Sequence, residues 1–251
     1  MALQEEFEKQ GNWLFKYRSY LPIIILVVGV YVYYCTETNP TIFFLENTPY
    51  EIYYETFCLF IALFGLFIRI YTVGHTPANT SGRNTEQGQV ADSLNTTGIY
   101  SIVRHPLYLG NFFMWFGVCL LTGNLWFMIA LCFMYWIYYE RIMFAEEQFL
   151  RKKFGNEYLE WAEKTPAFLP KFKQFVKPIF PFSWKKVLKK EKDGFLNLFL
   201  IFAFFNILGK FIDPKNDYNY FLLIACGIAV IIYCVLKFLK SKTNILNEEN
   251  R

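Results

Sequence analysis

The chain has 251 residues, of which 55% are hydrophobic and 21% are aromatic, and its formal net charge is +4. A soluble domain of this length could not bury so much apolar surface in one core, so the composition excludes an ordinary soluble protein. Its 6 cysteines lie in or beside apolar stretches without CxxC spacing, which indicates neither a metal site nor a disulfide framework.

The apolar residues form stretches that approach the roughly 20 helical residues needed to cross a bilayer. We therefore predict an all-α membrane protein with about six transmembrane helices. The predicted spans are residues 20–37, 52–73, 106–122, 124–142, 195–212 and 219–239. The third and fourth are joined only by Thr122, Gly123 and Asn124, so they must form a tight central helical hairpin. No small-residue cleavage site follows the first span, so we expect it to be retained.

Lysine and arginine are distributed unevenly between the loops. Residues 38–51 contain neither, whereas residues 141–192 are crowded with lysines and both termini carry basic residues. The positive-inside rule then predicts that both termini and the cofactor site described below are cytoplasmic, with Lys215 as a mild exception.

The predicted spans divide the chain into three regions. Residues 1–75 hold two N-terminal transmembrane helices. Residues 76–172 form a predicted catalytic core that opens with a long polar loop, and ordered loops of such length are commonly functional. Residues 173–251 hold a basic, aromatic segment, expected to lie at the membrane interface, and two C-terminal transmembrane helices.

A first polar motif, residues 98–110 (GIYSIVRHPLYLG), precedes and enters the third span. Pro106 is favoured at the first position of a helix, where its missing N–H would be unpaired anyway. Arg104 and His105 are therefore predicted at the mouth of this helix, with Tyr108 about half a turn further in. A helix N-terminus offers free N–H groups and a positive dipole end, which suit a carboxylate.

A second motif follows the fourth span. Glu140 and Arg141 end that span, and Glu146 and Glu147 come shortly after it. These carboxylates could receive an ammonium group or ribose hydroxyls, and Arg141 could hold an anion bidentately. Gly155 is predicted to end the helix. Taken singly, such signals are weak, because arginine at a helix end is usually a membrane anchor and a glutamate pair is usually solvated.

Taken in order, GIYSIVRHPLYLG, the hairpin and EEQFLRKKFGNEYLEW…TPAFLP resemble the isoprenylcysteine carboxyl methyltransferase and phospholipid methyltransferase superfamily. The resemblance covers residues 92–172 and implies binding of S-adenosylmethionine, with S-adenosylhomocysteine as product. It implies cofactor contacts at Asp92, Leu94, Asn95, Tyr100, His105, Pro106, Leu107, Tyr108, Glu146 and Glu147. It also implies an arginine near the end of the hairpin that faces the substrate. Arg141 is the best match to this arginine, to within one position of the alignment.

The expected reaction is transfer of a methyl group to an anionic oxygen. Such an acceptor is already ionised near neutral pH and needs no general base, so Arg141 and Arg104 are expected to orient it. Residues 79–111 look like bacterial proteins that methylate the phosphate of lipid A, which makes this phosphate the leading hypothesis. Arg83 and Arg69 are then candidate substrate-binding residues. The expected location is a bacterial inner membrane.

Several alternatives stay open from the sequence. The acceptor could be a phospholipid amine or the carboxyl group of a lipidated cysteine, although the last two spans depart from the eukaryotic prenylcysteine pattern. A membrane NADPH-dependent reductase of sterols or quinones, or a non-catalytic scaffold or transporter, belongs to a different class. The expected partners are a membrane lipid substrate and the bilayer, with neither nucleic acid nor an obligate protein partner.

Overall fold

A computed structural model describes residues 2–39, 41–43, 45, 48–77, 89–214 and 216–248. Within these ranges the regular structure is helical, apart from an isolated antiparallel bridge between Gly98 and Val176. The α-helices are α1 (Leu3–Lys16), α2 (Leu21–Glu37), α3 (Glu51–Gly74), α4 (Pro106–Leu120), α5 (Leu125–Phe154), α6 (Asn156–Lys164), α7 (Trp184–Ile212) and α8 (Tyr220–Lys242). Short 3₁₀ turns occupy Ile99–Ser101 and Phe172–Gln174. The all-α membrane class is confirmed.

The predicted spans all fall on helices, but these helices differ in length. In the described ranges, 4 helices (α3, α5, α7 and α8) are long and apolar enough to cross a membrane. Helices α1 and α2 pass the same test only together, as a pair bent by 74° that would make a fifth span. Helix α4 is apolar but has 15 residues, which gives a length of about 22 Å.

Two helices extend beyond the spans predicted for them. Helix α5 continues past residue 142 to Phe154, where Gly155 adopts a φ of 56° and ends it as expected. Helix α7 begins at Trp184, so the predicted interfacial segment 173–194 is helical in its second half. The Ser183 side chain accepts a hydrogen bond from the Lys186 N–H and caps α7. Charged residues are good helix formers, which is why hydropathy alone placed this helix start too late.

Helix α1 was not predicted, and it packs along the second half of α5. Gly11 makes this contact possible, because an added Cβ would lie 2.1 Å from the Arg141 carbonyl oxygen. Phe7 meets Phe144 edge-to-face with ring centroids 5.9 Å apart. The sharp turn into α2 follows Phe15, whose side chain is buried.

The central hairpin is confirmed. Helices α4 and α5 are separated by a turn in which Gly123 has a φ of 62°, a conformation that side-chain-bearing residues rarely adopt. The Asn124 side chain accepts a hydrogen bond of 3.0 Å from the Phe127 N–H and caps α5.

Close packing of α3 on α4 is the most extensive helix contact in the described structure. An added Cβ on Gly65 would lie only 2.4 Å from the Gly110 carbonyl oxygen, so the two backbones touch directly. Small residues at such crossings are typical of membrane helices, which associate by close van der Waals contact. The contact brings Arg69 of α3 beside Asn111 of α4.

The helix directions gather the polar residues at one end of the bundle. The C-terminal ends of α3 and α5 meet the N-terminal ends of α4 and α7 there, next to the turn between α1 and α2. We call this the site end. Buried apolar side chains of α2, α3, α4, α7 and α8 fill most of the interior behind it.

We expect Gly65→Ala to destabilise the protein by about 1–3 kcal/mol, because the new methyl group would force α3 away from α4. Gly227→Ala on α8 is the matched control, since an added Cβ there meets nothing within 4 Å. That variant should be neutral or slightly stabilising, because alanine favours helix more than glycine does. Thermal unfolding in detergent compares the two, and equal midpoints would contradict the packing argument.

Candidate active site

The centre of the site end is a cluster of four side chains that joins the start of α4 to the end of α5. His105, the N-cap residue of α4, places its Nε2 2.9 Å from Glu147 Oε1 and its Nδ1 3.5 Å from Glu146 Oε2. The Tyr108 hydroxyl donates to Glu146 Oε1 at 2.7 Å. Both motifs found in the sequence therefore meet in space.

Arg104 borders this cluster. Its Nε lies 3.0 Å from Glu147 Oε1, an ion pair without hydrogen-bond geometry, while its Nη1 donates to the Ala162 carbonyl at 2.7 Å. The guanidinium is thus held between α5 and α6. Its charge partly offsets the two carboxylates in a region where each side chain is less than a quarter exposed.

The extended chain after α6 fixes the backbone around His105. The N–H groups of Arg104 and His105 donate to the carbonyls of Pro166 and Ala167 at 2.9 and 3.2 Å. The Lys171 N–H donates to the Ile102 carbonyl at 2.9 Å, and Trp161 Nε1 donates to the Tyr100 carbonyl at 3.1 Å. The TPAFLP stretch is therefore a structural clamp on the RHP stretch, which explains why the two motifs occur together in this chain.

A cavity of about 320 Å³ opens beside the cluster. This volume lies at the lower end of the range for small-molecule and cofactor sites. Its wall contains most of the residues predicted from the sequence to lie in the site: Arg69, Leu94, Asn95, Tyr100, Arg104, His105, Pro106, Leu107, Tyr108 and Glu146.

Other predicted site residues lie elsewhere. Glu147 is outside the cavity wall but contacts the wall residues His105 and Arg104, whereas Asp92 is exposed and outside the wall. Arg83 lies outside the described residues. Among the part of the chain that is described, no group of three or more His, Cys, Asp or Glu is arranged to hold a metal ion.

The structure does not bring Arg141 into the cavity. Its guanidinium stacks over the Phe7 ring at 3.5 Å and its Nη1 donates to Glu140 at 3.0 Å. Helix α1 covers this face of α5, which sequence reasoning could not foresee because α1 itself was not predicted. Arg141 is therefore not part of the cavity wall, and its catalytic role stays a prediction.

Two cavity residues that the sequence did not reveal carry charge near the acceptor-binding candidates. Arg18, in the turn between α1 and α2, lines the cavity with its guanidinium 3.9 Å above the Phe15 ring. Glu191 of α7 binds Arg69 bidentately, with both N–O distances 2.9 Å, and Asn111 accepts a third bond from Arg69 at 2.6 Å. In the sequence Glu191 lies among lysines, a pattern typical of a solvated surface, so it was not predicted as a site residue.

Electrostatics at the cluster favour a protonated histidine. Burial opposes the charged form of His105, but hydrogen bonds to Glu146 and Glu147 and their charges outweigh it and raise the pKa of the imidazole above its usual value. Burial, and then the charge of Glu146, also raise the pKa of the Tyr100 hydroxyl, which stays neutral. The site end therefore contains two carboxylates, the neutral Tyr100 hydroxyl, and the His105 imidazole, whose charge depends on pH.

Comparison with known proteins identifies the region that builds this cluster. Residues 56–157 match the phospholipid methyltransferase family. The match begins in the first turns of α3, contains the hairpin, the RHP segment and both glutamates, and ends just inside α6. The resemblance expected from the sequence is confirmed for this segment, while α1, α2, α7 and α8 lie outside it.

The individual proteins similar to this chain include methyltransferases and a metal-resistance protein. The chain is 29% identical over 128 residues to the protein-S-isoprenylcysteine O-methyltransferase of Schizosaccharomyces pombe, which is 51% of this chain and 53% of the relative. It is 31% identical over 115 residues to that of Saccharomyces cerevisiae, 45% and 47% of the two chains. It is 33% identical over 88 residues to the nickel-cobalt-cadmium resistance protein NccN of Alcaligenes xylosoxydans xylosoxydans, 35% and 41%.

The chain spans about half the length of the curated relatives it matches. No solved structure matches it. The phospholipid methyltransferase family match therefore rests on the segment that forms the cluster.

We expect His105 to titrate above its ordinary pKa of about 6.5. The protein has 2 histidines, so His75→Gln leaves His105 as the one imidazole that NMR can follow. Because the folded pKa is raised, the stabilising contribution of His105 is complete below the unfolded value and is lost as pH rises through the folded value. In the same background, His105→Gln should remove this loss of thermal stability. A midpoint below 6.5 would refute the proposed charge balance.

Proposed function

We propose that this protein is an S-adenosylmethionine-dependent methyltransferase that acts on an anionic oxygen of a lipid or lipidated group in the membrane. The observation that carries the proposal is the cluster of His105, Tyr108, Glu146 and Glu147, which lines or supports a cavity within the segment matching the phospholipid methyltransferase family. Relatives named as methyltransferases favour this class over a reductase, scaffold or transporter.

The residues around the cavity fit the parts of S-adenosylmethionine. Glu146 offers a carboxylate for an ammonium group or ribose hydroxyls, and it is oriented by Tyr108. Trp161 and Tyr100 supply aromatic surface to the cavity wall, and Asn95 supplies an amide. A protonated His105 at the start of α4 suits the cofactor's carboxylate. When bound, S-adenosylmethionine supplies an electrophilic methyl group attached to a positively charged sulfur.

The cavity also has a basic side, which we assign to the methyl acceptor. Arg18, Arg69 and Lys190 line it, and Arg69 is fixed in place by Glu191 and Asn111. An ionised acceptor oxygen held there needs no general base, so the protein's contribution is alignment and exclusion of water. Alignment of two reactants can contribute roughly 7–11 kcal/mol to lowering a barrier.

The named relatives favour the carboxylate of a lipidated cysteine as the acceptor, ahead of the lipid A phosphate that the sequence favoured. Both acceptors present an anionic oxygen on a membrane-anchored group, which is the chemistry that the basic side of the cavity supports. The cytoplasmic orientation of the site and a bacterial inner membrane stay predictions from the lysine distribution and the sequence resemblance.

We expect Glu146→Gln to lower kcat/KM for methyl transfer on the order of 10- to 100-fold, because one charge-assisted contact to the cofactor is lost. The assay supplies S-adenosylmethionine with a labelled methyl group to membranes containing an S-farnesylcysteine derivative, phospholipid or lipid A, followed by extraction of each product. Glu160→Gln, an exposed carboxylate of α6, is the matched control. Label in no acceptor with the unaltered protein, or full activity in Glu146→Gln, would reject the proposal.

We expect Arg18→Ala to raise the KM for the acceptor about tenfold or more while leaving cofactor affinity nearly unchanged, because a guanidinium facing the anion is lost. Arg141→Ala should change the same KM much less, since Arg141 lies against Phe7. Arg151→Ala, an exposed arginine of α5, is the control. A larger effect from Arg141 than from Arg18 would favour the arginine implied by the family resemblance.

A further inference from the structure

Two carboxylates, one buried and one partly exposed, lie at the end of the bundle opposite the cavity. Glu37 is the last residue of α2 and is 4% exposed, and Glu55 lies in the second turn of α3. Glu55 precedes Arg69 by fourteen positions on one helix, a distance of about 21 Å. The methyl-transfer site therefore makes no use of these carboxylates.

Asparagine side chains from α7 and the turn that follows it surround both carboxylates. Asn216 Nδ2 donates to Glu37 Oε2 at 2.6 Å, and Asn219 Nδ2 donates to Glu55 Oε2 at 2.9 Å. Asn206 of α7 also lies against Glu55. Helices α2, α3 and α7 and the turn before α8 thus converge on one oxygen-rich cluster.

The side-chain oxygens of these three asparagines are buried and have no hydrogen-bond partner within the described residues. Each of the three residues is more than nine-tenths buried. The amide nitrogens of Asn216 and Asn219 bind the carboxylates, so the unpaired oxygen of each amide is on the other branch of the same planar group. An unpaired buried oxygen costs about 1–3 kcal/mol, so a ligand that paired these three oxygens would stabilise the protein.

The carboxylates of Glu37, Glu55 and Glu51 all act electrostatically on the Tyr33 hydroxyl, which also contacts Glu37. Lys210 is the described cation at this end, but its Nζ donates to the carbonyls of Pro214 and Asn216 at 2.7 and 2.5 Å. Neither carboxylate has an ion-pair partner among the described residues.

We propose that Glu37, Glu55, Asn206, Asn216 and Asn219 form a binding site for a hard divalent cation, with Ca²⁺ as the ion that fits. The available donors are carboxylate and amide oxygens, which Ca²⁺ prefers and which softer transition metals such as Zn²⁺ and Cu²⁺ do not. Two carboxylates balance its charge, and oxygens from three helices and a turn suit the flexible coordination of Ca²⁺ better than Mg²⁺, which demands near-octahedral geometry. Bound there, the ion would tie α2 and α3 to the turn between α7 and α8.

The test uses the full chain in detergent after treatment with a chelator. Equilibrium binding of radioactive Ca²⁺ should give one ion per chain, and Ca²⁺ should raise the midpoint of thermal unfolding more than the same concentration of Mg²⁺ does. Glu37→Gln should weaken Ca²⁺ binding on the order of tenfold or more, because one charged ligand is lost. Asp217→Asn, an exposed carboxylate in the same turn, should bind Ca²⁺ as the unaltered protein does.

Binding of less than one ion per chain, or equal affinity in Glu37→Gln and Asp217→Asn, would overturn the proposal. It would also be overturned if acidification stabilised the chelated protein and Ca²⁺ did not, since a proton would then be the ligand. Glu55→Gln, at a partly exposed position, replaces Glu37→Gln if the latter does not fold. The number of Ca²⁺ ions bound per chain of the unaltered protein tests the proposal without either variant.

Discussion

The contact between the start of α4 and the end of α5 is the constraint on which the rest of the structure depends. The two helices are linked by a tight turn at one end, and His105 and Tyr108 bind Glu146 and Glu147 at the other. The Tyr135 hydroxyl donates to the Tyr108 carbonyl at 2.6 Å between these two fixed points. The hairpin is therefore held at both ends, and the carboxylates are positioned by helices rather than by a mobile loop.

A second polar connection extends this frame to the C-terminal helices. Arg69 of α3 and Glu191 of α7 form a bidentate ion pair whose side chains are 16% and 4% exposed. Removing two charges from water is costly, and only good geometry with further hydrogen bonds compensates for it. Asn111 provides one such bond. Because this pair lines the cavity, α7 is part of the site although it lies outside the segment that matches the family model.

Local signals in the sequence predicted a large part of this arrangement. The short connection at Gly123 predicted the hairpin and Pro106 marked the start of α4, whereas the family resemblance implied that His105 and Glu146 belong to one site. Long-range packing decided the rest. Which face of α5 carries Arg141 depends on α1, and a charged helix start such as that of α7 looks like a surface connector when its partner Arg69 is unknown. The identity of the methyl acceptor could not be predicted either, because an arginine that binds an anion and one that anchors a helix look alike in sequence.

The shortness of α4 has a consequence for the depth at which chemistry takes place. If the Gly123 turn lies at one surface of a hydrocarbon layer of about 30 Å, a helix of about 22 Å ends roughly 8 Å short of the other surface. This hydrophobic mismatch would put the start of α4, with His105 and the cavity, below the level of the neighbouring lipid headgroups. The membrane-anchored acceptor proposed above would then reach the cavity by lateral diffusion with its hydrocarbon chains still in the bilayer, whereas the proposed water-soluble cofactor would enter from the headgroup side.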